Sequence, residues 1–158
     1  MGLLSRYKKE KLVSEAYYKT IGQVDCPFFS QPVTFNSDGF NHLQFSAGNE
    51  RDKPAQMLKF NLLELAPNIV KKSGTIQEYR KQWGTIGRKK TNGSHAMKEI
   101  EYWGLIAIVK NKEDKFIKIK VILRRVGTGN VIFWSVMPEV NIRRKDTFSL
   151  ATGDITDD

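Results

Sequence analysis

The sequence has few residues that could build a disulfide or a metal site. Its 158 residues include one cysteine, Cys26, and two histidines. One cysteine excludes an internal disulfide and favours a reducing compartment, and this supply of ligands argues against a zinc site. Glu99 and Glu101 precede a predicted strand, but no further acid joins them on the adjacent strand. We therefore expect neither a Mg²⁺ site nor any other metal.

Long apolar runs and common cofactor motifs are also missing. The first residues, MGLLSRYKKEK, are too polar for a signal peptide, and Arg6 stands where a myristoylation signal needs Ser or Thr. No stretch is apolar enough to span a membrane. A P-loop, a GxGxxG turn and a GxSxG elbow are absent. The sequence thus predicts a soluble cytoplasmic protein with no cofactor and no membrane partner.

Positive charge is abundant. Lys and Arg number 26 against 17 Asp and Glu, which gives a net charge of +9 and a pI near 9.7. Hydrophobic residues make up 40% of the chain, which is typical of a globular domain. A basic domain favours an anionic partner, namely nucleic acid, an anionic membrane or an acidic protein.

Up to residue 97 the pattern predicts helices, short strands and one long loop. Apolar spacing predicts a helix at Tyr7–Thr20 and a second at Arg51–Lys72, which Pro67 should kink or split. Alternation around Ser37-Asp38-Gly39 predicts a short strand or hairpin in Val33–Phe45. The remaining segments are irregular chain at Gln23–Gln31, a short strand or helical turn at Thr75–Trp83, and a basic, glycine-rich loop at Gly84–Met97.

Three β-type runs follow one another from residue 102. They are Tyr102–Val109, Phe116–Val126 and Val131–Pro138, with turn-forming residues between them. Alternation in the middle run divides it into two faces. One face carries Ile117, Ile119, Val121 and Leu123, and the other carries Lys118, Lys120, Ile122 and Arg124. Helices followed by an antiparallel meander predict an α+β fold.

Several residues on these elements have chemistry that would suit RNA cleavage without a metal. RNA supplies its own nucleophile, the 2′-OH, and an enzyme adds a base, an acid and cations for the phosphorane. Each candidate also has a plain structural interpretation. Lys118 and Lys120 are solvated in that interpretation, Ser135 is a core hydroxyl and His42 is structural or exposed. For Arg124, beside the turn Gly127–Asn130, the two interpretations balance.

Five segments together resemble a known group of proteins. They are Cys26-Pro27, VTFNSDGFNHL (Val33–Leu43), EYRK (Glu78–Lys81), EYWGLIAIV (Glu101–Val109) and KIKVILRRVGTGNVIFWSVMP (Lys118–Pro138). In this order they resemble the phage and bacterial nucleases of the barnase–EndoU–colicin–RelE-like superfamily. The resemblance implies N-terminal helices packed on a four- to five-stranded antiparallel sheet, with RNA across its open face. It also divides the chain into an N-terminal helical extension (1–22), a nuclease domain (23–140) and a tail (141–158).

The resemblance gives roles to individual residues. His42 matches the histidine of a GF-x-H segment and is expected to act as acid or base. Arg124, before the glycine turn, is expected to clamp phosphate, and Ser135 to bond a phosphate oxygen. Lys120 or Lys118 would help Arg124 to stabilise the phosphorane. The expected RNA contacts are completed by stacking on Tyr102 or Trp134 and by phosphate binding at Arg88, Lys89 and Lys90.

The resulting hypothesis is a metal-independent endoribonuclease that leaves a 2′,3′-cyclic phosphate. The resemblance implies use as a toxin or antiphage effector against tRNA, rRNA or mRNA, with an antitoxin or immunity protein as a further partner. Two alternatives remain open at this point. One is a non-catalytic nucleic-acid-binding module, and the other is a protein-interaction domain with a basic surface.

Overall fold

The structure, a computed structural model, describes residues 2–86, 93, 96–110 and 113–139 and shows an α+β fold. The helices of this part are α1 (Leu3–Ile21), α2 (Ser37–Gln44), α3 (Lys53–Leu63) and α4 (Ala66–Lys72). Its strands are β1 (Gln23–Val24), β2 (Val33–Thr34), β3 (Phe45–Ser46), β4 (Asn49–Glu50), β5 (Glu78–Ile86), β6 (Ala96–Lys110), β7 (Phe116–Val126) and β8 (Ile132–Pro138).

Six of these strands form one sheet in the order β1-β2-β8-β7-β6-β5. All neighbours are antiparallel except β2 and β8, which pair in parallel at Thr34 and Ile132. The predicted meander is confirmed as β6, β7 and β8. The sheet has more strands than expected because the two-residue strands β1 and β2 extend it beyond β8. Strands β3 and β4 form a separate hairpin.

The main core lies between the helices and one face of the sheet. The face of β7 predicted to be apolar supplies Ile119, Val121 and Leu123, each fully buried. Helix α1 contributes Tyr7 and Tyr18 to this same core. The segment predicted as an N-terminal extension, residues 1–22, therefore packs with the rest of the fold. The predicted tail, 141–158, lies outside the described residues.

The predicted strand or hairpin at Val33–Phe45 is wrong for most of its length. After the two residues of β2, the chain forms helix α2. The side chain of Asn36 caps this helix by accepting a hydrogen bond from the Gly39 amide at 3.3 Å, and Asp38 lies in its first turn. A capping residue and an early carboxylate favour a helix start. Ser37-Asp38-Gly39 is thus the first turn of α2.

Other segment predictions have clear outcomes. Pro67 divides the second helical stretch as predicted, because α3 ends at Leu63 and Pro67 lies in the first turn of α4. Thr75–Trp83 contains the start of a strand, β5. The ends of the predicted loop Gly84–Met97 belong instead to strands, because β5 and β6 pair as far as Ile86 and Ala96.

We predict that Gly39→Ala destabilises the protein. A Cβ at this position would overlap the carbonyl oxygen of Phe133 and lie 2.7 Å from Oη of Tyr18, so α2 must move away from β8. The expected loss in the free energy of unfolding is about 1–3 kcal/mol, measured by urea denaturation. Gly74→Ala is the matched control, because no atom lies within 4 Å of its added Cβ. Equal stability of the two variants would contradict this packing.

Candidate functional site

A groove of about 1020 Å³ opens on the face of the sheet that the helices leave uncovered. Helix α2 forms one wall, and the β3–β4 hairpin forms the rim. The floor comes from the ends of β5 to β8. The lining residues used below are Asp38, Asn41, His42, Phe45, Tyr102, Arg124 and Trp134. Four of them, His42, Arg124, Tyr102 and Trp134, were predicted from the sequence, although they come from four different elements.

Trp134 lies between two of the candidate functional side chains of the groove and contacts both of them. The imidazole of His42 stacks on its indole, with ring centroids 4.1 Å apart and an interplanar angle of 18°. The guanidinium carbon of Arg124 lies 4.2 Å from the Trp134 ring centroid and 5.7 Å from that of Tyr102. A guanidinium over an aromatic face is a cation–π contact. The indole of Trp134 thus contacts both the imidazole of His42 and the guanidinium of Arg124.

A bulge in β8 places Trp134 on this face. Ser135 pairs with Ile122, but the next pair along β7 is Leu123 with Phe133, so Trp134 has no partner of its own. Such an extra residue redirects side chains locally. Phe133 remains fully buried in the main core, while Trp134 lines the groove on the opposite face. Phe133 and Trp134 therefore face opposite sides of the sheet.

Arg124 differs from the other cations near it on β7. Lys120 forms ion pairs with Glu78 and Glu139, and Nε of Arg125 donates to Glu101 at 3.0 Å. For Arg124, the described part of the chain offers no carboxylate within ion-pair distance, and its buried Nε has no hydrogen-bond partner there. A buried polar group without a partner costs about 1–3 kcal/mol, and more when it is charged. Such an unsatisfied buried group is a departure from the usual packing rules of the kind that is found at functional sites.

His42 is positioned by a residue that the sequence prediction missed, Arg51. The guanidinium of Arg51 lies with Nη2 at 3.2 Å from Nε2 of His42, and its Nε donates to the His42 carbonyl oxygen at 3.1 Å. His42 is only 8% exposed. Because arginine only donates, this contact is a hydrogen bond when Nε2 is the acceptor, and the ring proton then lies on Nδ1. Arg51 directly follows the β3–β4 hairpin, and only the fold brings it to α2.

Lys120, which the sequence predicted as a catalytic residue, does not line the groove. Its ammonium is 3% exposed and lies 2.6 Å from Glu78 and 3.2 Å from Glu139. Burial lowers the pKa of Lys120, but the two carboxylates outweigh it, so the pKa lies above its ordinary value. Four residues of strand, about 13 Å, separate it from Arg124. Its role is to neutralise two acids at the other end of the sheet face.

Ser135 is also removed from the groove, in agreement with the plain interpretation of a core hydroxyl. It is fully buried, and its Oγ accepts a hydrogen bond from Nζ of Lys59 at 2.9 Å. The same ammonium donates to the Val136 carbonyl oxygen at 3.2 Å. The serine hydroxyl therefore helps to fix α3 to β8, and a phosphate could reach it only if this contact opened.

The predicted RNA contacts have mixed outcomes. Lys118 is exposed but about 20 Å along β7 from Arg124. Tyr102 is 6% exposed, and Trp134 already contacts two side chains, so neither presents an open ring to a base. Arg88, Lys89 and Lys90 lie outside the described residues, and their predicted phosphate binding stays a prediction.

Phe45 is the open aromatic residue of the groove, and the sequence prediction did not single it out. It stands on the β3–β4 hairpin, lines the groove and is 37% exposed. The hairpin turns through Ala47 and Gly48, both with positive φ, as two-residue turns of this kind require. An Ala-Gly turn after a short strand is a weak sequence signal, which explains why Phe45 was not predicted.

Compared with protein-family models, with curated proteins and with solved structures, the chain shows no match. The resemblance to the nuclease superfamily therefore rests on the sequence segments given above and stays a prediction. Within the described residues, no three His, Cys, Asp or Glu side chains are grouped so that they could hold a metal ion. No helix of that part is both long and apolar enough to cross a membrane.

We predict that Arg124 and Trp134 contribute very differently to stability. Arg124→Met should change the free energy of unfolding by less than about 1 kcal/mol, because the loss of its ring contacts is offset by removal of an unpaired buried donor. Trp134→Ala should cost about 2 kcal/mol or more, since it removes the ring that both neighbours contact. Urea denaturation measures both.

Phe116→Ala is the control for these variants, because Phe116 is 74% exposed and should change stability by less than about 0.5 kcal/mol. A large loss in Arg124→Met, as large as in Trp134→Ala, would show that the guanidinium is needed for folding rather than held ready for a ligand.

Proposed function

We propose that this protein is an endoribonuclease that binds RNA in the groove and cleaves it without a metal. The observation that carries the proposal is that His42 and Arg124 both contact the ring of Trp134. They do so in a groove where Arg124 has no carboxylate partner among the described residues. A proton-transfer group beside an unneutralised cation is the minimal set for 2′-OH attack on a phosphodiester. The net charge of +9 favours a polyanion as the ligand.

Each groove residue has a defined part in the proposed reaction. The 2′-OH loses its proton to a solvent water as its oxygen attacks the adjacent phosphorus, and the 5′-oxygen leaves with a proton from His42, so that a 2′,3′-cyclic phosphate and a 5′-hydroxyl remain. Arg124 holds the non-bridging oxygens, whose charge increases in the phosphorane, and this increase is what the guanidinium stabilises. His42 acts as the acid in its imidazolium form, which gives a proton to the leaving 5′-oxygen. Arg51 favours this proton release, because it donates to Nε2 of the neutral ring that remains.

The groove suits unpaired RNA better than a duplex. In an A-form helix the bases are stacked inside, and side chains reach mainly the backbone and 2′-hydroxyls. Phe45 at the rim presents an open ring, and the Asn41 amide and the Asp38 carboxylate line the same wall. A splayed base stacked on Phe45 would place its hydrogen-bonding edge toward these groups. We therefore propose single-stranded loops or tails as the substrate.

A toxin or antiphage role, with an antitoxin or immunity protein as inhibitor, belongs to the same proposal. Its support is the sequence resemblance. The groove, whose floor carries Arg124, belongs to a chain of net charge +9, and an acidic inhibitor could occupy it.

We predict that the purified protein cleaves total RNA or tRNA in EDTA and leaves cyclic phosphate ends. His42→Gln and Arg124→Gln should each lower the rate by about 10²–10⁴-fold, because one removes the proton donor and the other the phosphorane cation. Lys9→Ala is the control, since it removes a positive charge from an exposed position on α1, away from the groove. Cleavage by either glutamine variant at the wild-type rate would refute the assignment.

A second prediction concerns binding alone. Phe45→Ala should weaken the affinity for a short single-stranded RNA by about 5- to 150-fold, because one base loses its stacking surface. Phe116→Ala removes an even more exposed aromatic ring outside the groove and should bind like the wild type. Fluorescence anisotropy in the His42→Gln background measures this without cleavage. Equal affinities would mean that RNA does not stack on the rim.

A non-catalytic RNA-binding module is the second candidate. It is favoured by the low exposure of His42 and its contacts with Trp134 and Arg51, which are also typical of a structural histidine. In that case RNA would stay intact in EDTA, affinity would fall steeply with salt, and Phe45→Ala would still weaken binding. The two experiments together therefore separate the candidates.

A further inference from the structure

Strand β5 is the edge strand at the opposite end of the sheet from β1, and much of it is exposed. It runs for nine residues from Glu78 to Ile86 and pairs with β6 on one side only among the described strands. Its five residues from Tyr79 to Trp83 are all exposed, and Trp83 reaches 68%. A long exposed edge presents a row of unpaired backbone donors and acceptors, which is a template for another strand.

The positive charges of β5 restrict which strand could pair with its exposed edge. Arg80 and Lys81 are adjacent, so they point to opposite faces, and any strand that brings like charges opposite them is disfavoured. The other end of the described sheet is β1, which is only two residues long. Each copy of the chain therefore offers one long edge, which allows a closed pair of copies rather than an open-ended stack.

We propose that β5 pairs antiparallel with β5 of a second copy of this chain, centred on Gln82. Gln82 is the midpoint of Glu78–Ile86, so this register brings all nine residues into pairs. Lys81 then stands opposite Trp83 of the second copy, twice by symmetry, which gives two cation–π contacts across the strands. Arg80 faces Gly84 and Tyr79 faces Thr85. No like charges are opposed.

The neighbouring registers are worse. Centring on Lys81 places the two Lys81 side chains opposite each other, and centring on Arg80 does the same for arginine. Centring on Trp83 pairs two aromatic rings, but Glu78 and Tyr79 would then extend past Ile86 of the second copy. The Gln82 register is thus the one that uses the whole described strand without opposing like charges.

This pairing would bring the two grooves to the same face of the joined sheet. A two-fold axis through an antiparallel strand pair keeps the same face of both sheets on one side. Thr85 and Ile86 line the groove and lie at the end of β5. Because Ile86 of one copy faces Glu78 of the other, the two grooves would lie at opposite ends of the paired strands, about 26 Å apart along them.

The experiment uses the full-length chain and two substitutions at one position. Sedimentation equilibrium should show a dimer for the wild type. Gln82→Lys places two lysines opposite each other and should weaken the dimer by about tenfold or more, whereas Gln82→Thr keeps this pair neutral and should retain the dimer. A monomeric wild type, or the same change in both variants, would overturn the proposal.

Disulfide formation tests the register independently. Gln82→Cys places two cysteines opposite each other at 4.5–5.5 Å between Cα atoms, within disulfide range, so mild oxidation should yield a covalent dimer. Arg80→Cys should not cross-link, because position 80 lies opposite Gly84 of the second copy. The wild type should not cross-link either, because its Cys26 is buried. Equal cross-linking at both positions would overturn the Gln82 register. RNA cleavage plays no part in either readout, so a failed dimer leaves the proposed activity intact.

Discussion

The close approach of α2 to β8 is the contact on which the rest of the structure depends. Gly39 has no Cβ, and this allows the helix to lie against the backbone of Phe133. On one side of that contact, the ring of Phe133 stacks on Phe35 at 4.8 Å and completes the main core. On the other side, the next residue, Trp134, receives the imidazole of His42. One glycine thus sets both the packing of the fold and the width of the groove.

The cations of β7 show how folding and binding are separated along one strand. Lys120 and Arg125 are neutralised by glutamates from β5 and β6, so their charges stabilise the sheet. Between them, a small apolar cluster that includes Ile122, Tyr102 and Met137 covers the middle of the open face. Arg124 differs from these two cations because its Nε has no hydrogen-bond partner among the described residues and its guanidinium contacts the rings of Tyr102 and Trp134. The strand therefore carries neutralised and unneutralised charge within six residues.

The meander and the helix division at Pro67 were predictable because local periodicity and proline geometry decide them. The two faces of β7 followed from alternation for the same reason. Helix α2 was missed because Ser37-Asp38-Gly39 fits a turn as well as a helix start, and the decisive contact, Gly39 with Phe133, is 94 residues away in sequence. Lys120 and Ser135 were misplaced because their partners, Glu78 and Lys59, are likewise distant. Arg51 and Phe45 carry no local signal at all.

The β3–β4 hairpin has a consequence for how the groove opens. Its turn holds Ala47 at a φ of 52°, a conformation that favours glycine or asparagine and costs an alanine about 1–2 kcal/mol. The hairpin has only two residues in each strand, and its own pairing is correspondingly weak. Local opening is cheapest where contacts are few and the backbone is strained. The rim is therefore the element of the groove that should open at the lowest cost in free energy, while the floor, built from the long strands of the sheet, stays fixed.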